Sequence, residues 1–171
     1  MTNTDTEKTF EDLLEVNPCV GCPAPCCRML LSPHVPPRTL KEVDHMRFVL
    51  LFHNSEVSIS SEGQWSLIQW QTCRLFEEKN CTCSVHNTPK QPLICREHSP
   101  YQCWYKRNFV ESNASSEICR LNLERFEVWI KKVTFDEGGM ILSLPSFEEM
   151  KEMVKKIPIE PKFEINLELV K

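Results

Sequence analysis

Glycine is scarce, with four residues in a chain of 171. That leaves little material for a glycine-rich phosphate loop, and neither a nucleophile elbow nor a paired-carboxylate motif is present. Clustered lysine and arginine are missing too. The net charge is −4 and the sequence pI about 5.8, which argues against nucleic acid as a partner, because phosphate binding needs a basic footprint. Long apolar runs are absent as well: the longest, Phe48 to Phe52, is five residues, against roughly 20 for a membrane span. No membrane partner is expected. The opening residues, Met1 to Val16, are polar and acidic where an export signal would be basic and then apolar. The expected location is therefore cytoplasmic, a reducing compartment.

What stands out instead is ten cysteines. An even count permits a disulfide framework, and Asn80-Cys81-Thr82 and Asn113-Ala114-Ser115 match the glycosylation pattern that would accompany one. The reducing compartment favours the other reading, thiolates that bind metal. An apolar fraction of 41% and a charged fraction of 26% are ordinary for a globular chain. This length can bury a core of its own without metal.

Along the chain, residues 1–17 read as a flexible N-terminus with one short helical turn. Pro18 to Pro37 holds six prolines and four cysteines, which excludes regular helix and predicts an ordered loop held by metal. Thr39 with Glu42 forms a capping box for a helix whose apolar positions are Leu40, Val43, Met46 and Leu50. Val57 and Ile59, a turn at Ser61-Glu62-Gly63, then Trp65 and Leu67 predict a β-hairpin. Residues 120–132 suit either a helix or a strand, and their length favours helix. Val133 to Phe135 and Met140 to Leu144 flank a second hairpin turn. Ser146 and Glu149 cap a last helix that Pro158 stops, and Phe163, Ile165, Leu167 and Leu169 alternate as a final strand. The expected class is α+β: a cysteine-rich domain over 18–120 and a hairpin–helix–strand extension over 121–171 packed on it.

The strongest local signal is Cys19-Val20-Gly21-Cys22-Pro23-Ala24-Pro25-Cys26-Cys27. A Cys-x2-Cys turn brings two thiolates to one ion, in zinc and iron–sulfur sites alike. Adjacent cysteines in extended chain diverge, so Cys26 and Cys27 imply two sites or one polynuclear cluster. The remaining ligands come from Cys73, Cys81, Cys83, Cys95, Cys103 and Cys119. Four of the eight arginines directly follow a cysteine: Arg28, Arg74, Arg96 and Arg120. Guanidinium groups placed so would offset thiolate charge around a cofactor. His86 and His98, each three residues after a cysteine, are weaker ligand candidates.

These residues resemble the YkgJ family of cysteine-cluster proteins, described as a zinc- or iron-chelating domain with a CxxCxxCC signature. The resemblance runs over about residues 19–120. It rests on Cys19, Cys22, Cys26 and Cys27, then Cys73, Cys83, and Gln91-Pro92-Leu93-Ile94-Cys95-Arg96. The chain departs from it in having three residues, Pro23 to Pro25, where the signature has two, and Gln91 where arginine is usual. The resemblance implies a further cysteine ligand, taken as Cys119 in preference to Cys103. The expected metal set is then Cys19, Cys22, Cys26, Cys27, Cys73, Cys83, Cys95 and Cys119, with Cys81 and Cys103 outside it. Flagellin lysine methylases share the signature but are much longer, so methyl transfer is not carried over.

Zinc or iron, as single ions or as an iron–sulfur cluster, is the expected cofactor, with any protein partner left open. The leading expectation is a metal-binding protein. The alternatives are an iron–sulfur redox or electron-transfer protein, a maturation accessory factor, or a thiol enzyme using Cys81 or Cys103. No enzyme motif favours the last.

Overall fold

The computed structural model describes residue 19 and residues 22–109 and 118–159. The expected N-terminal segment and final strand lie outside the described residues.

The proline-rich stretch is more regular than its composition suggests. Ala24, in the left-handed region at φ 52°, turns the chain into a single helical turn, α1 (Pro25–Arg28), with proline at its first position. Strand β1 (Leu30–His34) follows. Pro33 is tolerated there because β1 lies at a sheet edge, where a missing donor costs no ladder bond. Helix α2 (Leu40–Leu50) starts at the predicted Thr39–Glu42 capping box and buries Val43, Met46 and Leu50. Strands β2 (Ser55–Ser60) and β3 (Trp65–Gln69) form the first hairpin, turning at Gly63, whose φ of 79° suits a residue without Cβ.

A cysteine-bearing segment comes next: the small hairpin β4 (Phe76–Glu77) and β5 (Thr82–Cys83), then the short helices α3 (Leu93–Arg96) and α4 (Trp104–Phe109). Strand β6 (Ile118–Leu121) returns to the sheet beside β2, giving the antiparallel order β1-β3-β2-β6. Helix α5 (Leu123–Ile130), the hairpin β7 (Thr134–Phe135) and β8 (Ile141–Ser143), and helix α6 (Phe147–Val154) complete the described chain. Helix and antiparallel sheet together make the α+β class expected. The ambiguous stretch 120–132 divides: Arg120 and Leu121 end a strand, Asn122 caps, Leu123 to Ile130 is helix, and 131–132 is a turn.

Register assigns the two faces of the sheet. Val57 pairs with Leu67 and Leu121, and Ile59 with Trp65 and Cys119, so these side chains share one face. There α2, α5 and α6 supply Val43, Met46, Phe126, Trp129, Met150 and Val154 to a single core. The Trp129 ring meets Trp65 edge-on at 5.5 Å and Phe126 at 5.0 Å. The opposite face carries Glu56, Ser58, Ile68 and Arg120. Glu56 and Ser58 are buried too, so β2 is covered on both sides. Cutting the chain at residue 120 would cut through β6; the core is shared by residues on either side of that point.

Phe126 is fully buried at the centre of this core, so Phe126→Ala should lower stability by about 3–5 kcal/mol. Urea unfolding followed by far-UV circular dichroism checks this; a loss below about 1 kcal/mol would mean that the core is centred elsewhere.

Candidate metal centre

Helix α1 is the hub of the cysteine region. Cys26 and Cys27 sit on a helical turn instead of extended chain, so they diverge by about 100° and not 180°. Their sulfurs remain within hydrogen-bonding reach of each other. The Cys27 carbonyl accepts from the Cys73 amide at 2.7 Å, tying α1 to the start of the small hairpin. There the Cys73 carbonyl accepts from the Phe76 amide, and Phe76 pairs with Cys83 across β4 and β5. Arg28 holds the same junction. Its Nε donates to the Pro23 carbonyl at 2.9 Å, its guanidinium lies 4.8 Å from the Phe76 ring centroid, and it approaches Glu78 at 3.5 Å.

Helix α1 also packs against α4. Cys103 caps that helix: its Sγ accepts from the Lys106 amide at 3.3 Å and lies 3.3 Å from His98 Nε2. The Cys22 amide donates to the Cys19 carbonyl at 3.2 Å.

Two groups of thiols result. Burial, followed by the neighbouring Cys103, holds the Cys19 thiol above its ordinary pKa. Burial raises Cys22 as well, and Cys19 and Cys103 add to the effect. Cys26 is raised first by donating its proton to Cys27 and then by burial, with Cys103 and Cys22 among its neighbours. Cys95 is raised by burial and by a different set, Cys27, Cys73 and Cys83. Cys27 is the exception: it accepts the Cys26 proton, has Arg28 beside it, and is lowered to about 7 against the burial that opposes it. The two residues titrate as one unit, with Cys27 ionising first.

Seven of the eight expected ligands are thus brought together, and the eighth is not. Cys119 lies buried in the helix-side core opposite Ile59, its thiol raised to about 11 by burial. Strand alternation is the reason: at Cys119 β6 faces the helices, while the cysteine region covers the other face. Cys103, expected to lie outside the set, stands beside Cys19, Cys22 and Cys26. Its position eight residues after Cys95, in the same turn-rich stretch with His98 between, was the available signal. Tyr105, also beside Cys26, Cys103 and Cys95, carried none.

The arginines divide in the same way. Arg28 is at the cluster, and Arg74 and Arg96 are exposed beside Cys73 and Cys95. Arg120 is not a cluster residue. It forms a two-pronged pair with buried Glu56, at 2.7 and 2.9 Å, while its guanidinium stacks on Trp70 at 4.9 Å. Cys81 sits in a left-handed turn with its thiol toward the Glu78 carbonyl, and the His86 ring is exposed.

Among the described residues, no three cysteine, histidine or carboxylate side chains are drawn tightly enough to hold an ion as they stand. The chemistry of the donors nonetheless fits zinc or iron, since each group is composed of soft thiols. No described helix is long and apolar enough to cross a membrane. No family model, curated protein or solved structure matches the chain.

Two predictions follow from these positions. Arg120→Ala should cost about 3–5 kcal/mol by leaving Glu56 buried and unpaired, with no change in the number of metal equivalents taken up by the folded protein; a changed stoichiometry would return Arg120 to the cluster. In metal-free reduced protein, alkylation of Cys27 should set in near pH 7 and weaken as pH falls below it. Cys26→Ala should move that onset toward the ordinary thiol range of about 8.5. Mass-mapped alkylation rates decide, and an unmoved onset would rule out the Cys26 proton as its cause.

Proposed function

We propose that this chain is a metal-binding protein whose clustered cysteine thiolates hold zinc or iron. The observation that carries the reading is a region of thiols without an apolar interior. Eight cysteines from separate segments lie in one neighbourhood around α1, yet Phe76, Gln91 and Asn108 are the only buried side chains described between residues 73 and 109. Leu93 and Ile94, the two residues before Cys95 in α3, are 58% and 80% exposed. Such a segment gains little from hydrophobic burial, and a metal that joins its parts would supply the missing free energy. The likeness to the YkgJ signature supports the same reading, as does Arg28 at the junction, where it would offset thiolate charge.

The residues that would hold metal are Cys19, Cys22, Cys26, Cys27, Cys73, Cys83, Cys95 and Cys103. Bound there, the metal would act as a structural crosslink or, if iron, as a carrier of one electron. Cysteine ligation suits both metals, and an iron–sulfur redox or accessory role is the second form of the same proposal. A cytoplasmic setting, where thiols stay reduced, belongs with either form.

Protein purified without oxygen should carry about two metal equivalents for eight thiolates at four per ion, and Cys22→Ser should lower metal content and melting temperature together. Elemental analysis with a visible spectrum checks both forms: a broad charge-transfer band selects iron–sulfur, and a colourless zinc-loaded protein selects a structural centre. Metal-free protein with its cysteines paired as disulfides would overturn the proposal.

A further inference from the structure

We propose that the thiols form two separate four-sulfur sites joined at one peptide bond: Cys19, Cys22, Cys26 and Cys103 bind one metal ion, and Cys27, Cys73, Cys83 and Cys95 bind another. This assignment rests on the reading of the thiols as metal ligands and adds to it which thiol serves which ion.

The argument starts from α1. Its single turn presents Cys26 and Cys27 in directions about 100° apart, and different elements wait on the two sides. Helix α4 packs against α1, and Cys103 at its N-terminal end, held by the Lys106 amide and His98, is a neighbour of Cys26. Cys19 and Cys22, joined by a 3.2 Å backbone bond, both have Cys103 as a neighbour and so belong to this side. On the Cys27 side, the 2.7 Å bond from the Cys73 amide draws in the hairpin. The Phe76–Cys83 pair places Cys83 there, and Arg28 locks Phe76 and Glu78 against the same end of the helix.

The electrostatic neighbourhoods follow this division away from the junction, where Cys26 donates to Cys27 and Tyr105 neighbours thiols of both sets. Cys19 and Cys22 have Cys103 among their neighbours, whereas Cys95 has Cys27, Cys73 and Cys83. Each side therefore offers four thiolates, the number a tetrahedral ion takes. Rotation about χ1, between staggered positions, is the motion that would close each set on an ion. Cys81 and Cys119 belong to neither set, one turned toward the Glu78 carbonyl and the other inside the core.

The two sites differ in construction. The first takes two of its ligands from residues three apart in the chain, joined by a backbone bond, and has a histidine beside one sulfur. The second gathers its ligands from four separate places in the chain, so its ion would tie α1, the hairpin and α3 together.

The experiment is a cobalt(II) titration of the reduced, full-length protein under argon, read at the thiolate-to-cobalt charge-transfer band. Wild type should saturate at two tight equivalents, Cys119→Ser also at two, and Cys103→Ser and Cys95→Ser at one each. The Cys19→Ser/Cys103→Ser double variant should keep one equivalent, and Cys95→Ser/Cys103→Ser should keep none. Loss of both equivalents in Cys103→Ser or Cys95→Ser, with tryptophan fluorescence of the core unchanged, would overturn the division in favour of one shared cluster.

A second measurement needs no variants. When half of the cobalt is removed by a chelator, alkylation followed by tryptic mapping should show labels appearing in linked sets. One set puts three labels on the peptide ending at Arg28 together with one on Cys103. The other puts one label on that peptide together with Cys73, Cys83 and Cys95. Labels that appear without such linkage overturn the proposal. Wild type that takes up no cobalt with all ten thiols reduced would defeat the metal-binding reading itself. Two equivalents lost in other combinations would defeat only the partition.

Discussion

The arrangement depends on strand alternation at one short element, β6. Consecutive side chains leave opposite faces of the sheet, so Cys119 and Arg120 are sent to different environments. Cys119 joins the helix-side core with Ile59 and Leu121. Arg120 turns to the other face, pairs with buried Glu56 and lies against Trp70 and Phe109, the second of which belongs to α4. A charged pair in such a place is held by geometry and stacking more than by net electrostatic gain. Its effect is to seat the cysteine region on the sheet. A one-residue slip of β6 would exchange the two side chains and expose both environments to the wrong chemistry.

The two halves of the molecule are stabilised by different means. On the helix side, capping boxes start α2 and α6, aromatic rings fill the centre, and Arg125 ties the end of β6 to the Ile157 carbonyl through bonds of 2.7 and 3.0 Å. Burial lowers the pKa of that guanidinium, which nonetheless keeps its charge because an arginine starts far above neutral pH. On the cysteine side, short elements, turns and exposed apolar residues replace the core. The proposed ions would provide there what Phe126 and Trp129 provide on the other face.

Much of this was legible in the sequence because it rests on local rules. Thr39–Glu42 and Ser146–Glu149 are start signals whose mechanism is contained within one turn of helix, and both helices begin there. The hairpin around Gly63 could be read from alternation and a single turn. Strand β6 was harder: four residues leading into a helix give no period long enough to separate 2 from 3.6. The direction of Cys119 was illegible for the same reason, since only the strand assignment reveals that its side chain faces the core. The cysteine–arginine pairs mixed two causes. Arg28 lies at the thiols, whereas Arg120 follows a cysteine only because alternation puts a core residue next to an ion-pair residue. Cys26 and Cys27 looked divergent in extended chain; the Ala24 turn and Pro25 made a helix of them, a tertiary outcome that spacing alone does not specify.

The central claim is that thiolate sulfur surrounds a bound metal. X-ray absorption at the metal edge of anaerobically purified, full-length protein tests it most directly. The account predicts a first shell made of sulfur, at about 2.3 Å with close to four sulfurs per ion. A first shell dominated by nitrogen or oxygen at about 2.0–2.2 Å would contradict it.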